Sequence, residues 1–162
     1  MKKVILFLIV VTVFVSCSNN DEQIKNLQTR VDSLQAKLNA THSAGFGEIM
    51  TNIQVHHAKL WFAGKNQNWD LSHYEIAEIK ESFDDIVKYE KARPESEMVP
   101  MITPALDSVS SAIKNKNFAE FENAFKFMTN TCNDCHLATN HEYNVVVIPQ
   151  TPPFSNQDFK KQ

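Results

Sequence analysis

The chain has 162 residues, 43% of them hydrophobic, enough for one domain with one core plus appendages. Only three glycines, among plentiful Leu, Ala, Glu and Lys, favour helix over sheet. A formal net charge of −3 supplies no basic surplus for nucleic acid, and that class of partner is set aside.

Lys2 and Lys3 precede an apolar run from Val4 to Val15 that is short for a membrane span and matches the core of a signal peptide. The run ends in Phe14-Val15-Ser16-Cys17, which resembles a bacterial lipobox with cleavage before Cys17, Phe14 standing where Leu is usual. Residues 1–16 therefore read as a lipoprotein signal peptide. Cys17 becomes the lipidated N-terminus, holding the protein to a membrane of the bacterial cell envelope, facing the periplasm or the outside. Losing Lys2 and Lys3 lowers the formal charge from −3 to −5, which points to cationic docking faces on its partners. Residues 17–23 form a polar tether.

From 24 to 41 the apolar residues Ile24, Leu27, Val31, Leu34 and Leu38 keep a heptad a/d phase with polar residues between them. β-Branched residues at a and Leu at d favour a parallel pair, so this coiled-coil helix offers a homodimer contact. The other reading is a single spacer helix. Gly45-Phe46-Gly47 is then a joint near the start of the main domain, residues 42–138.

Four amphipathic helices are expected in that domain. The first runs from Phe46 to Phe62 with Phe46, Ile49, Met50, Ile53, His57, Leu60 and Trp61 on one face, and Gly64 as its C-cap. The second starts at a capping box, Ser72-x-x-Glu75, turns Ile76, Ile79, Phe83 and Ile86 inward, and ends near Ala92 before Pro94. The third begins at Thr103-Pro104, with Leu106, Val109 and Ile113 inward. The fourth starts at Asn117-x-x-Glu120, and its stripe is Phe118, Phe121, Phe125, Met128, Cys132 and Cys135. Short connections among the four argue an all-α, up-down-up-down four-helix bundle.

The fourth helix carries the chemistry. Cys132-Asn133-Asp134-Cys135-His136 reads as C-x-x-C-H, the attachment signature of a c-type haem. Two thiols at this spacing can each bond one vinyl group of a porphyrin, and the next residue, His136, stands as the proximal iron ligand. A thioredoxin-like pair wants a βαβ setting that this chain lacks. A structural zinc site wants a second pair of ligands, and the third cysteine is already assigned to lipid. One covalent haem c is therefore the expected cofactor.

Residues 139–162 change character: Val145-Val146-Val147-Ile148 is a β-branched run, and Pro149, Pro152 and Pro153 forbid a helix. This extended tail either packs across the bundle or covers the exposed edge of the haem.

A helical bundle with C-x-x-C-H near the end of its last helix resembles the cytochrome c′ and c-556 superfamily, over about residues 46–138. Segments 57–64 (His-Ala-Lys-Leu-Trp-Phe-Ala-Gly) and 152–159 (Pro-Pro-Phe-Ser-Asn-Gln-Asp-Phe) are similar to those of exported c-type cytochromes. The resemblance implies a haem attached after export and an electron carrier as the function. The chain departs from cytochrome c′ in having 26 residues after His136.

The sixth iron position separates the functional readings. In an up-down bundle the first helix lies beside the fourth, which makes Met50, His56 and His57 the candidates. Helical phase places His57 closest to the inward centre, whereas height along the bundle favours Met50. His57 is the preferred distal ligand and Met50 the alternative; His141, His73 and His42 read as surface or outer groups. A membrane-tethered, single-haem electron carrier, not an enzyme, is the leading expectation, with redox proteins as partners. A five-coordinate haem binding nitric oxide or carbon monoxide is the second, and a haem-bearing assembly subunit built on the coiled coil is the third. Peroxidase chemistry would use His56 as a base beside an open iron.

Overall fold

The computed structural model describes residues 20–38 and 44–161. The chain divides into two units, residues 1–43 and 44–162. The lipobox, Cys17, His42 and residues 39–41 of the expected coiled-coil segment lie outside the described residues. Among the described residues the protein is all-helical, with five α-helices and no strand.

In the first unit, α1 (20–38) is exposed along its length. Its heptad stripe is no exception: Ile24, Leu27, Val31 and Leu34 are each more than half exposed. The helix is held locally by i,i+4 bonds such as Gln28 Nε2 to Asp32 Oδ1 at 2.9 Å. No helix among the described residues is long and apolar enough to cross a membrane.

The second unit comprises α2 (Phe46–Lys65), α3 (Trp69–Tyr89), a 3-10 segment (Pro94–Ile102), α4 (Thr103–Lys114) and α5 (Phe118–Ala138). The helices pack in a bundle-like ring: α2 on α3, α3 on α4, α4 on α5, and α5 back on α2. The apolar stripes legible in the sequence form its core. Ile49, Ile53, Leu60 and Trp61 of α2 meet Ile76, Ile79 and Ile86 of α3, Leu106, Val109 and Ile113 of α4, and Phe121, Phe125 and Met128 of α5. Proline at the start of α4 and the Asn117 cap of α5, whose side chain accepts Glu120 N–H at 3.2 Å, are where the sequence placed them.

Two helix boundaries differ from expectation. α2 does not stop at Gly64; it continues to Lys65 and ends in a Schellman motif. Asn68 N–H reaches Ala63 C=O at 2.9 Å and Gln67 N–H reaches Gly64 C=O at 2.9 Å. Gln67, with φ 54°, takes the left-handed position. Gly64 instead lies buried where the Phe121 ring crosses α2, and a Cβ there would sit 2.1 Å from Phe121 Cε1. The second correction concerns Ser72-x-x-Glu75, which is not a capping box. α3 begins earlier, capped by Asn68, whose Oδ1 accepts Leu71 N–H at 3.3 Å. Glu75 is fully buried and pairs with His56 Nδ1 across the α2–α3 interface at 2.6 Å.

The tail belongs to the same unit as the helices. It carries no regular structure, yet it is pinned at its far end. Phe159 is buried against Phe62, and Asn68 Nδ2 donates to Phe159 C=O at 3.3 Å.

Candidate functional site

The last turns of α5 bring Cys132, Cys135 and His136 to one cavity of about 270 Å³. Their place follows from the stripe that precedes them. Phe121, Phe125 and Met128 are buried, so residues at the next three- and four-residue steps emerge at the core edge, where both cysteines are half-buried. The cavity opens because α2 begins with half-buried Phe46 and Met50, while the 3-10 segment supplies Met98 and Val99 to the opposing wall.

His136 is held in one tautomer. A carbonyl oxygen only accepts, so the 2.6 Å contact between Nδ1 and Asn144 C=O places the proton on Nδ1. In the neutral ring Nε2 then carries the lone pair, and no hydrogen-bond donor among the described residues reaches it. This is the arrangement by which an outer-shell carbonyl orients a ligating histidine.

The thiols are not activated. Burial, and then the neighbouring Cys135, pushes the Cys132 thiol up to about 12; burial also raises Cys135. Thiol–disulfide exchange centres need the opposite shift. Two protonated, half-buried thiols beside a lone-pair imidazole, walled mainly by apolar side chains, fit a covalently held porphyrin. Among the described residues no group of three or more His, Cys, Asp or Glu converges as a bare-metal site. One polar atom of the wall stands unsatisfied: Glu95 Oε2 is buried without a hydrogen-bond partner.

Both distal candidates line the cavity, in different states. Thr129 Oγ1 donates to Phe125 C=O at 2.9 Å, so it accepts from His57 Nε2–H, also at 2.9 Å. The imidazole further packs on the Phe125 ring, centroids 4.5 Å apart, and burial holds its pKa down at about 4. His57 is therefore neutral, with Nε2–H bound to Thr129 and the lone pair on Nδ1. Met50, half-buried, offers a thioether sulfur with no hydrogen bond among the described residues.

Register separates the two further. His57 meets Thr129 and Phe125, Trp61 meets Phe125 and Phe121, and Gly64 meets Phe121. Each step forward on α2 is answered by a step back on α5, so the helices run antiparallel. Continued, this register brings Met50 level with His136, whereas His57 lies two turns away, about 10 Å along the axis.

His56 is not on the cavity wall; it stands between Glu75 and Glu78, the latter at 4.0 Å. His73 is exposed, while His141 lines the cavity. Sequence reasoning missed Met98 and Glu95, because the stretch between Pro94 and Thr103 reads as a loop. Its one signal is Pro94 itself, which occupies the first turn of the 3-10 segment.

Comparison with family models, with curated proteins and with solved structures finds no match to this chain.

Proposed function

We infer that the chain is a single-haem c-type cytochrome carrying electrons at the outer side of a membrane, built on an up-down-up-down four-helix bundle of the cytochrome c′ and c-556 kind. The observation that carries this is the convergence of Cys132, Cys135 and a tautomer-fixed His136 on one apolar-walled cavity. Bound there through two thioethers, haem supplies a one-electron couple. Cys132 and Cys135 hold it, His136 Nε2 is the proximal ligand, and the apolar walls lower solvent access. Of the distal pair, Met50 has the level of His136; His57, with its lone pair on Nδ1, is two turns away and tied to Thr129 through Nε2–H. Cys17 carries the lipid, redox proteins dock by complementary charge, and α1 pairs with a second copy through Ile24, Leu27, Val31 and Leu34.

A second reading is five-coordinate haem that binds nitric oxide or carbon monoxide. It is favoured by one observation, the bond of His57 Nε2–H to Thr129, which ties this imidazole to α5 two turns from His136.

The test is an absorption spectrum of the full chain matured in a bacterial host that attaches haem c, taken oxidised, reduced, and reduced under carbon monoxide. Low-spin spectra indifferent to carbon monoxide support the carrier, and Met50→Ala should then convert them to high spin while His57→Ala leaves them low-spin. High-spin spectra with immediate carbon monoxide binding transfer the reading to gas binding. Absence of covalent haem sinks both.

A further inference from the structure

The C-x-x-C-H pattern leaves its two middle positions open, and the structure gives the first of them a task. α5 ends in a Schellman motif with Asn140 in the left-handed conformation, φ 60°. His141 N–H returns to His136 C=O at 2.7 Å and Asn140 N–H to Leu137 C=O at 3.3 Å. The chain reverses there and closes a second turn, Asn144 N–H to His141 C=O at 2.9 Å. Asn144 C=O thereby arrives over the imidazole it binds.

Nothing buried holds that carbonyl in place. Residues 142–145 are all exposed. The hold comes two residues on, from Asn133. Its Oδ1 accepts Val146 N–H at 2.8 Å and its Nδ2 donates to Val146 C=O at 2.9 Å. One side-chain amide thus pairs with both backbone groups of a single residue, as a neighbouring strand would.

Few side chains can replace it. Asp accepts but cannot donate, and would set a carboxylate against the Val146 carbonyl; Ala does neither. Asn133 is itself partly buried, which strengthens both bonds relative to an exposed pair.

We propose that Asn133 is a positioning residue for His136: it latches the returning tail at Val146 and so holds the Asn144 carbonyl on the Nδ1–H of the ligating imidazole. The geometry stands without any cofactor, while its consequence rests on the haem reading above. An imidazole whose Nδ1–H is bound to a carbonyl is a stronger donor at Nε2 and keeps one ring orientation. Stronger donation favours the oxidised, more positive iron, so the latch lowers the reduction potential.

Two readouts test this. In the full chain without haem, nitrogen-15 shifts report the His136 tautomer. The wild type should show Nδ1–H alone with slow exchange, and Asn133→Ala a mixture with Nε2–H and fast exchange. Asp134→Ala, at the other open position, should match the wild type. In the haem-loaded chain, Asn133→Ala should raise the potential by the equivalent of about tenfold in the reduction equilibrium, about 59 mV for one electron. Phe159→Ala, which frees the far end of the tail but spares the latch, should leave the potential unchanged. If Asn133→Ala does not fold, Asn133→Asp, which keeps the accepted bond but sets a carboxylate against the Val146 carbonyl, decides by the tautomer readout. An unchanged tautomer and potential in the Asn133 variant overturns the proposal, as does an equal shift with Phe159→Ala, which would make the tail's order the cause. A wild type that never takes haem overturns the functional reading alone, because the tautomer measurement still decides the latch.

Discussion

Replacing Gly64 by alanine sets two effects of opposite sign against each other. Gly64 lies within the last turn of α2 and does not have a positive φ. Helix propensity alone would therefore make alanine more stable, by up to about 1 kcal/mol. Packing says otherwise. The added Cβ would sit 2.1 Å from Phe121 Cε1 and 2.2 Å from Cζ, so the ring must retreat by more than 1 Å. Phe121 has no free space to enter: it is fully buried, with Phe125, Trp69 and Trp61 at centroid distances of 5.8, 6.1 and 6.3 Å. Overpacking of this kind costs roughly 1–3 kcal/mol, and a fully enclosed aromatic ring puts it at the upper end. The net expectation is a loss of about 2 kcal/mol. For a domain of this size that lowers Tm by about 6–10 °C. Thermal unfolding followed by circular dichroism reads the change. The partner variant is Phe121→Leu, which takes the clashing atoms away. The double variant should lose clearly less than the two single losses added together, a coupling confined to residues in contact. If Gly64→Ala is as stable as the wild type or more so, the close approach is wrong and with it the seating of α5 on α2.

Three further substitutions probe separate parts of the chain. Glu75→Ala leaves His56 without its 2.6 Å partner in a largely buried interface and should cost about 1–3 kcal/mol in denaturant unfolding; Glu75→Gln, which keeps a hydrogen-bonding group, should cost less, and equal losses would mean the hydrogen bond is immaterial. Lys116 takes a left-handed φ of 53° at the end of α4, so Lys116→Gly should stabilise by about 0.5–1 kcal/mol, and a loss instead would deny that strain. On α1, Val31→Lys places a charge at the centre of the exposed stripe; if α1 pairs with a second copy, the mass in solution falls to that of one chain, whereas a lone spacer helix gives no change.

What was legible in the sequence was local or periodic. The inward faces of all four main helices follow from three- and four-residue spacing, which survives any arrangement of neighbours, and the Asn117 cap involves only its own first turn. The readings that failed share one cause: a local signal overruled by a partner far away in the chain. Gly64 looks like a helix terminator because glycine ends helices, but it is a glycine because Phe121 lies on it. Ser72 and Glu75 match a capping pattern, yet Glu75 is claimed by His56. His57 shows how far phase reaches at the site itself. Its phase on α2 correctly turns it inward, and phase is all that a single helix can reveal. What an inward histidine bonds to depends on what stands opposite, and opposite His57 stands Thr129. Met50, nearer the edge of the stripe and easily taken for filler, is level with His136 only because two helices 72 residues apart at His57 and Thr129 fix their mutual register. The latch between Asn133 and Val146 follows the same logic at shorter range. An asparagine in an open motif position carries no signal until the chain after α5 turns back, and the residue that turns it, Asn140, is visible in the sequence only as a residue tolerant of the left-handed conformation.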